Sequence, residues 1–190
     1  MLIEARRSRL LLVDLQARLF PAMTPSPPGL LSRILLLVRA ATLLDIPIVV
    51  TRQYPQGLGP LLPELAAVLP DSVRQADKMA FSCCADDDLS PFFEDARDQV
   101  LIAGVETHVC VLQTAFDLLA RGKSPYVLAD ACASRSVAHH AQALERLGHD
   151  GVRLATVESV VFEWLRGAEH PRFRELARAI RDLPEQGGAA

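Results

Sequence analysis

Residues 99–132 read QVLIAGVETHVCVLQTAFDLLARGKSPYVLADAC, and their pattern decides the fold. An apolar run, Val100, Leu101, Ile102 and Ala103, stops at Gly104. A short polar turn follows, and Val109, Leu112, Phe116 and Leu119 then recur at the three-to-four-residue spacing of a helix face. Arg121-Gly122 reads as the helix end, and residues 126–129 as a second strand. Strand, helix and strand in this length of chain form a βαβ unit with parallel strands and a right-handed crossover. Working residues in such units gather where a strand ends and the next helix begins. Cys110 lies at that place.

If Thr107 caps the helix, Cys110 falls in its first turn, where free N–H groups and the helix dipole favour an anion. An ordinary thiol, with a pKa of about 8.5, is mostly protonated at neutral pH. A downward shift of about two units would make the thiolate the main form. The other reading of Cys110 is a small buried apolar residue. Position alone leaves both open.

The 190 residues suffice for one domain, 1–190, that buries a sheet on both faces. Half the residues are hydrophobic and 23% are charged, which excludes a disordered chain. A net charge of −3 supplies no basic footprint for nucleic acid. Residues 10–13 are too short an apolar run for a signal-peptide core, and no unbroken apolar span is long enough to cross a bilayer. A soluble, cytoplasmic protein without nucleic-acid or membrane partners is expected. The four cysteines, Cys83, Cys84, Cys110 and Cys132, show no CxxC spacing and are expected to be free thiols, with Cys83 and Cys84 structural. Of 20 basic residues only Lys78 and Lys123 are lysine. Lysine differs from arginine in being able to share or release a proton.

Five strands can be located, over 8–13, 48–51, 100–103, 126–129 and 152–156. Helices are expected over 30–44, 107–120, 134–147, 159–165 and 173–180, with a short one ending near Val68 and another beginning at Asp86 to Asp88. Two Pro/Gly-rich stretches, LQARLFPAMTPSPPG and RQYPQGLGPLLPEL, follow the first two strands and read as loops over one edge of the sheet. This alternation gives an α/β protein with a three-layer α/β/α, Rossmann-like fold around a mostly parallel six-stranded sheet.

Asp14 ends the first strand, Lys78 lies in the middle connection and Cys110 starts the central helix, all at or near the same edge. A carboxylate beside a thiol can act as general base, and an ammonium can stabilise the sulfur anion. Asp14 read instead as a cap, and Lys78 as a solvated side chain, carry no chemistry.

LLLVDLQARLF at 10–20, DKMAFS at 77–82 and GVETHVCVLQTAFDLLARG at 104–122 resemble the three motifs of the isochorismatase-like cysteine hydrolases. The resemblance covers nearly the whole chain. It implies an Asp-Lys-Cys triad of Asp14, Lys78 and Cys110, and an oxyanion hole of the Glu106 and Cys110 backbone N–H groups. TRQYPQGLGP, the glutamate of GVETHVC, DACASRS and AEHPRF resemble more narrowly the isochorismatase-domain-containing proteins, a branch without an established substrate. Metal-dependent nicotinamidases resemble the chain in the triad but carry an Asp-x-His segment where this chain has Thr51-Arg52-Gln53-Tyr54. No metal and no cofactor are therefore expected.

Around a small-molecule substrate the reading places Gln16, Phe20, Tyr54, Phe81 and His108, with Phe20 and Phe81 equally readable as core. His108, two residues before Cys110, either joins the chemistry or points sideways toward a neighbouring subunit. The expected activity is metal-independent hydrolysis of a small amide or related C–N bond through a thioester on Cys110. A silent binding or scaffold protein of the same fold, and a vinyl-ether hydrolase, stay open as alternatives. A nucleotide-binding flavodoxin-like protein does not, since no GxGxxG follows the first strand. By resemblance the chain forms a homo-oligomer, a dimer or a tetramer.

Overall fold

The computed structural model describes residues 1–23, 26–85 and 89–183. In chain order it contains β1 (Ser8–Val13), α1 (Leu30–Leu43), β2 (Ile48–Gln53), α2 (Pro55–Leu58), α3 (Pro63–Ala66), β3 (Arg74–Lys78) and β4 (Gln99–Val105). These are followed by α4 (Leu112–Ala120), β5 (Ser124–Ala133), α5 (Val137–His149), β6 (Arg153–Ala155), α6 (Val157–Leu165) and α7 (Phe173–Arg181). The helix expected to begin at Asp86 to Asp88 lies outside the described residues.

The sheet has six strands in the order β3-β2-β1-β4-β5-β6, every pairing parallel. From β1 the chain steps outward through β2 and β3, then returns to place β4 on the other side of β1. The strand order therefore reverses between β1 and β4, where open α/β sheets leave a crevice. Asp14 leaves β1 and Cys110 follows β4 at that switch point.

β1 explains the layering. All its residues are buried, and alternate ones face opposite cores. Leu10 and Leu12 join a cluster with Ile34 and Leu37 of α1 and with Val160, Val161 and Leu176 of the last two helices. Leu11 and Val13 join a cluster with Ala115 and Leu118 of α4 and Ala143 and Leu147 of α5.

The sixth strand, β3, has no periodic signature. Its sequence RQADK is mostly exposed because it is an edge strand, paired only with β2, so its sheet partners rather than apolar alternation define it. The central helix also departs from expectation. Residues Thr107–Val111 form a π-helical turn before α4, preceded by Glu106 in the left-handed region (φ 61°, ψ 56°). Thr107 does not cap it; its hydroxyl lies 2.9 Å from His140 Nδ1 instead. The α5 helix starts later than expected, at Val137, because Ser136 caps it by accepting from the His139 N–H.

Candidate active site

The parallel register decides the site. Gln53 lies opposite Lys78 across β2 and β3, and Leu12 opposite Val50 across β1 and β2, so the strands end together and present their last side chains to one crevice. The Lys78 ammonium donates to Asp14 Oδ2 at 2.8 Å and to Gln53 Oε1 at 2.7 Å, and also to the Phe81 carbonyl at 3.1 Å. Thr51 Oγ1 donates to Asp14 Oδ1 at 2.9 Å. The Asp14 and Lys78 side chains are both fully excluded from solvent. The caps and solvated side chains considered for them do not describe this pair. Asp14 itself sits at φ 57°, a left-handed backbone that a short polar residue tolerates better than most.

The third member is close by. Cys110 is 3% exposed within the π turn, and its thiol feels both the Asp14 carboxylate and the Lys78 ammonium. Burial is the largest influence on the thiol and pushes its pKa upward; the Asp14 charge adds to this while Lys78 opposes it. The net direction is strongly upward. The resting sulfur is thus a protonated thiol facing a carboxylate, which corrects the expectation of a thiolate held by a helix start. Exclusion from water and the neighbouring Asp14 charge disfavour the sulfur anion more than Lys78 supports it. Burial alone would also lower Lys78, but the Asp14 carboxylate beside it, with smaller help from Cys83 and Cys110, holds the ammonium above the usual lysine range.

The residues expected around a substrate separate into groups. Gln16 is fully buried: its amide donates to the Gln53 carbonyl at 3.0 Å and the Gly59 carbonyl at 2.9 Å, and its oxygen accepts from the Gln53 N–H at 2.7 Å. It fastens the loop after β1 to the loop after β2 rather than lining an opening. Phe20 packs against the core cluster of α1, as its core reading had it. Tyr54 and Phe81 are 47% and 53% exposed on either side of Lys78, whose carbonyl accepts the Tyr54 N–H and whose ammonium donates to the Phe81 carbonyl. His108 turns sideways. Its Nδ1 lies 2.9 Å from Ser134 Oγ and its Nε2 3.6 Å from Glu106 Oε2, and it stacks 5.1 Å from His139. Together His108, His139, Arg146 and His149 line a cavity of about 620 Å³ along α5.

Two partners escaped the sequence reading. Thr51 and Gln53 hold Asp14 and Lys78 respectively, and the signal was their i, i+2 spacing at the end of β2, which puts both side chains on one face. Cys83, read as structural, is fully buried with Sγ 3.8 Å from Thr51 Oγ1. Burial raises its pKa to about 11, so it too is a neutral thiol. Among the described residues, no three His, Cys, Asp or Glu side chains are placed to hold a metal ion. Nor is any helix among them long and apolar enough to cross a membrane.

Comparison with known proteins agrees with the fold. The isochorismatase domain family matches residues 8–159. Mouse (Mus musculus) isochorismatase domain-containing protein 2A is 40% identical over 187 residues, which cover 95% of this chain and 86% of that protein. The solved structure of MAR1 ribonuclease from Caenorhabditis elegans superposes with a TM-score of 0.92 at 34% identity, covering 100% of this chain and 98% of that one. The YcaC gene product of Escherichia coli, described as an octameric hydrolase of unknown specificity, gives a TM-score of 0.84 at 25% identity, covering 95% and 97%. Sheet order and relatives together define a hydrolase of the isochorismatase-like class, built on an all-parallel sheet flanked by helices. The chain belongs to the isochorismatase domain family.

Proposed function

We propose that the protein is a metal-independent cysteine hydrolase that cleaves a small amide or related C–N bond through a thioester on Cys110. The observation that carries this reading is a buried Cys110 thiol in the field of a carboxylate that is itself held by a buried ammonium and a hydroxyl. Asp14 takes the thiol proton as the sulfur forms a bond to the substrate carbonyl carbon. The carbonyl electron pair moves to oxygen, and the N–H groups of Glu106 and Cys110 hold the oxyanion. Collapse re-forms the carbonyl and breaks the C–N bond, with the proton on Asp14 passing to the departing nitrogen. Water then attacks the thioester with Asp14 as base again; the C–S bond breaks, the thiol regains its proton and the acid leaves.

Throughout, Lys78 stays protonated, so negative charge moving from Asp14 to sulfur to oxygen remains near a fixed cation. A neutral resting thiol suits this course, because the carboxylate removes the proton only as the C–S bond forms. Metal independence is supported by the engagement of the segment that replaces Asp-x-His: Thr51 bonds Asp14, Arg52 pairs with Asp77 and Gln53 holds Lys78. The C. elegans relative is described as a ribonuclease. A net charge of −3 gives this chain little attraction for a polyanion, so the small neutral substrate is preferred. Self-association is also proposed, since the E. coli relative is an octamer.

A panel of small amides assayed with the wild type and with Cys110→Ala tests the reading. Turnover is expected in the wild type and a fall of about 10³-fold or more in the variant. Turnover untouched by the substitution would reject the thioester route, and hydrolysis of vinyl ethers alone would favour the other bond type.

A further inference from the structure

Three consecutive residues ahead of Cys110 are each tied to the chain leaving β5. Arg135 Nε donates to Glu106 Oε1 at 2.8 Å, Thr107 Oγ1 lies 2.9 Å from His140 Nδ1, and His108 Nδ1 lies 2.9 Å from Ser134 Oγ. The turn they hold combines a left-handed Glu106 with a π-helical stretch, both backbone forms that persist only where surroundings enforce them. Glu106 and Thr107 are buried, so their ends of the ties are shielded from water, while the Arg135 side chain is exposed.

The strand β5 is irregular: between Ile102 and Gly104 of β4 the partner shifts from Val127 to Cys132. With its hydrogen on Nε2, the neutral His140 ring leaves Nδ1 to accept the Thr107 hydroxyl. Burial keeps His140 below the ordinary imidazole range, which favours this neutral form. The irregularity also carries β5 on to Ala133, opposite Val105, which brings Ser134 and Arg135 beside the turn.

We infer that His140, assisted by Ser134 and Arg135, is a positioning residue that fixes the backbone N–H groups of Glu106 and Cys110 where an oxyanion forms. This rests on the cysteine-hydrolase reading. His140 makes its bond to Thr107, not to the sulfur, Asp14 or Lys78. Its loss should therefore weaken oxyanion binding and leave the sulfur's nucleophilicity alone.

Two reagents separate these effects. Iodoacetamide alkylates sulfur by displacing iodide and forms no oxyanion. Acetaldehyde adds the sulfur to its carbonyl carbon and places negative charge on oxygen while the thiol proton passes to Asp14, so its reversible adduct needs the N–H groups. Protection of Cys110 from iodoacetamide by acetaldehyde, read by mass spectrometry, reports the difference. In His140→Ala, alkylation without aldehyde is expected within about twofold of wild type, while the aldehyde concentration giving half-protection rises about tenfold. His140→Asn, which keeps an acceptor near the Nδ1 position, should restore most of the protection. If His140→Ala does not fold, Thr107→Val removes the same bond from the other side and should show the same split.

Equal protection in wild type and variant overturns the inference. So does parallel loss of alkylation and protection, which marks a structural role only. A wild-type Cys110 that alkylates readily and gains no protection at any aldehyde concentration overturns the oxyanion hole itself, and the positioning role with it.

Discussion

Val13 of β1 and Gly104 of β4 lie so close that a Cβ on Gly104 would stand 2.2 Å from the Val13 carbonyl oxygen and 2.7 Å from its nitrogen. Gly104 also holds φ at +143°, which side chains rarely adopt. This approach seats the start of the Glu106–Cys110 turn against the residue that precedes Asp14. Gly104→Ala is expected to destabilise the protein by about 3 kcal/mol, from strain and backbone contact together. Urea unfolding measures it; a change under about 1 kcal/mol would mean the strands can separate without cost.

Lys78→Met is expected to lower stability by about 3 kcal/mol, because it leaves a buried carboxylate without its cation. Asp14→Asn should cost a comparable amount for the converse reason. The double variant should lose clearly less than the two losses added, since no lone charge then remains buried. Simple additivity in a double-mutant cycle would contradict the pairing seen here.

Stability should decline on both sides of neutrality. Burial lowers both His108 and His140 from the ordinary imidazole value. As pH falls through about 6.5 the unfolded chain therefore takes up protons before the folded one, and stability drops from about pH 7 downward. Carboxylates contribute only at lower pH. On the alkaline side burial raises Cys83 to about 11 and Cys84 and Cys132 to about 12. The unfolded chain loses thiol protons first, near about 8.5, and stability falls above that value. Denaturation midpoints across pH 5 to 10 check both flanks, and His140→Asn should flatten the acid one.

Gln16→Leu should destabilise the loops that follow β1 and β2, leaving the Gln53 N–H and the Gly59 carbonyl without their partners. The expected loss is about 2 kcal/mol. Limited proteolysis should cut sooner within residues 54–60, where Gly57 and Gly59 sit, than in the wild type. An unchanged cleavage pattern would show that the loop holds by its own packing.

Much of the fold was legible in advance because each buried parallel strand advertises itself. Residues 10–13 and 100–103 are apolar on both faces, and a strand covered by helices on both sides has to be. β3 was illegible for the opposite reason: as an exposed edge its polar side chains contact water, and only its ladder to β2 makes it a strand. Gln16 illustrates the same limit within the site. A glutamine after a strand reads as a substrate contact, yet its three hydrogen bonds reach backbone at the end of β2 and in the loop after it, 37 and 43 residues away.

By itself the sequence determined the alternation of strands and helices, the crossing point after Val13 and Val105, and the residue types available there, since those depend on local periodicity and chain order. Tertiary structure alone decided that Thr51 and Gln53 hold Asp14 and Lys78, that Thr107 meets His140 rather than capping a helix, and that the sulfur rests protonated. The physical reason is that hydrogen bonds and desolvation depend on which distant atoms the sheet register brings within about 3 Å, a quantity no local pattern encodes.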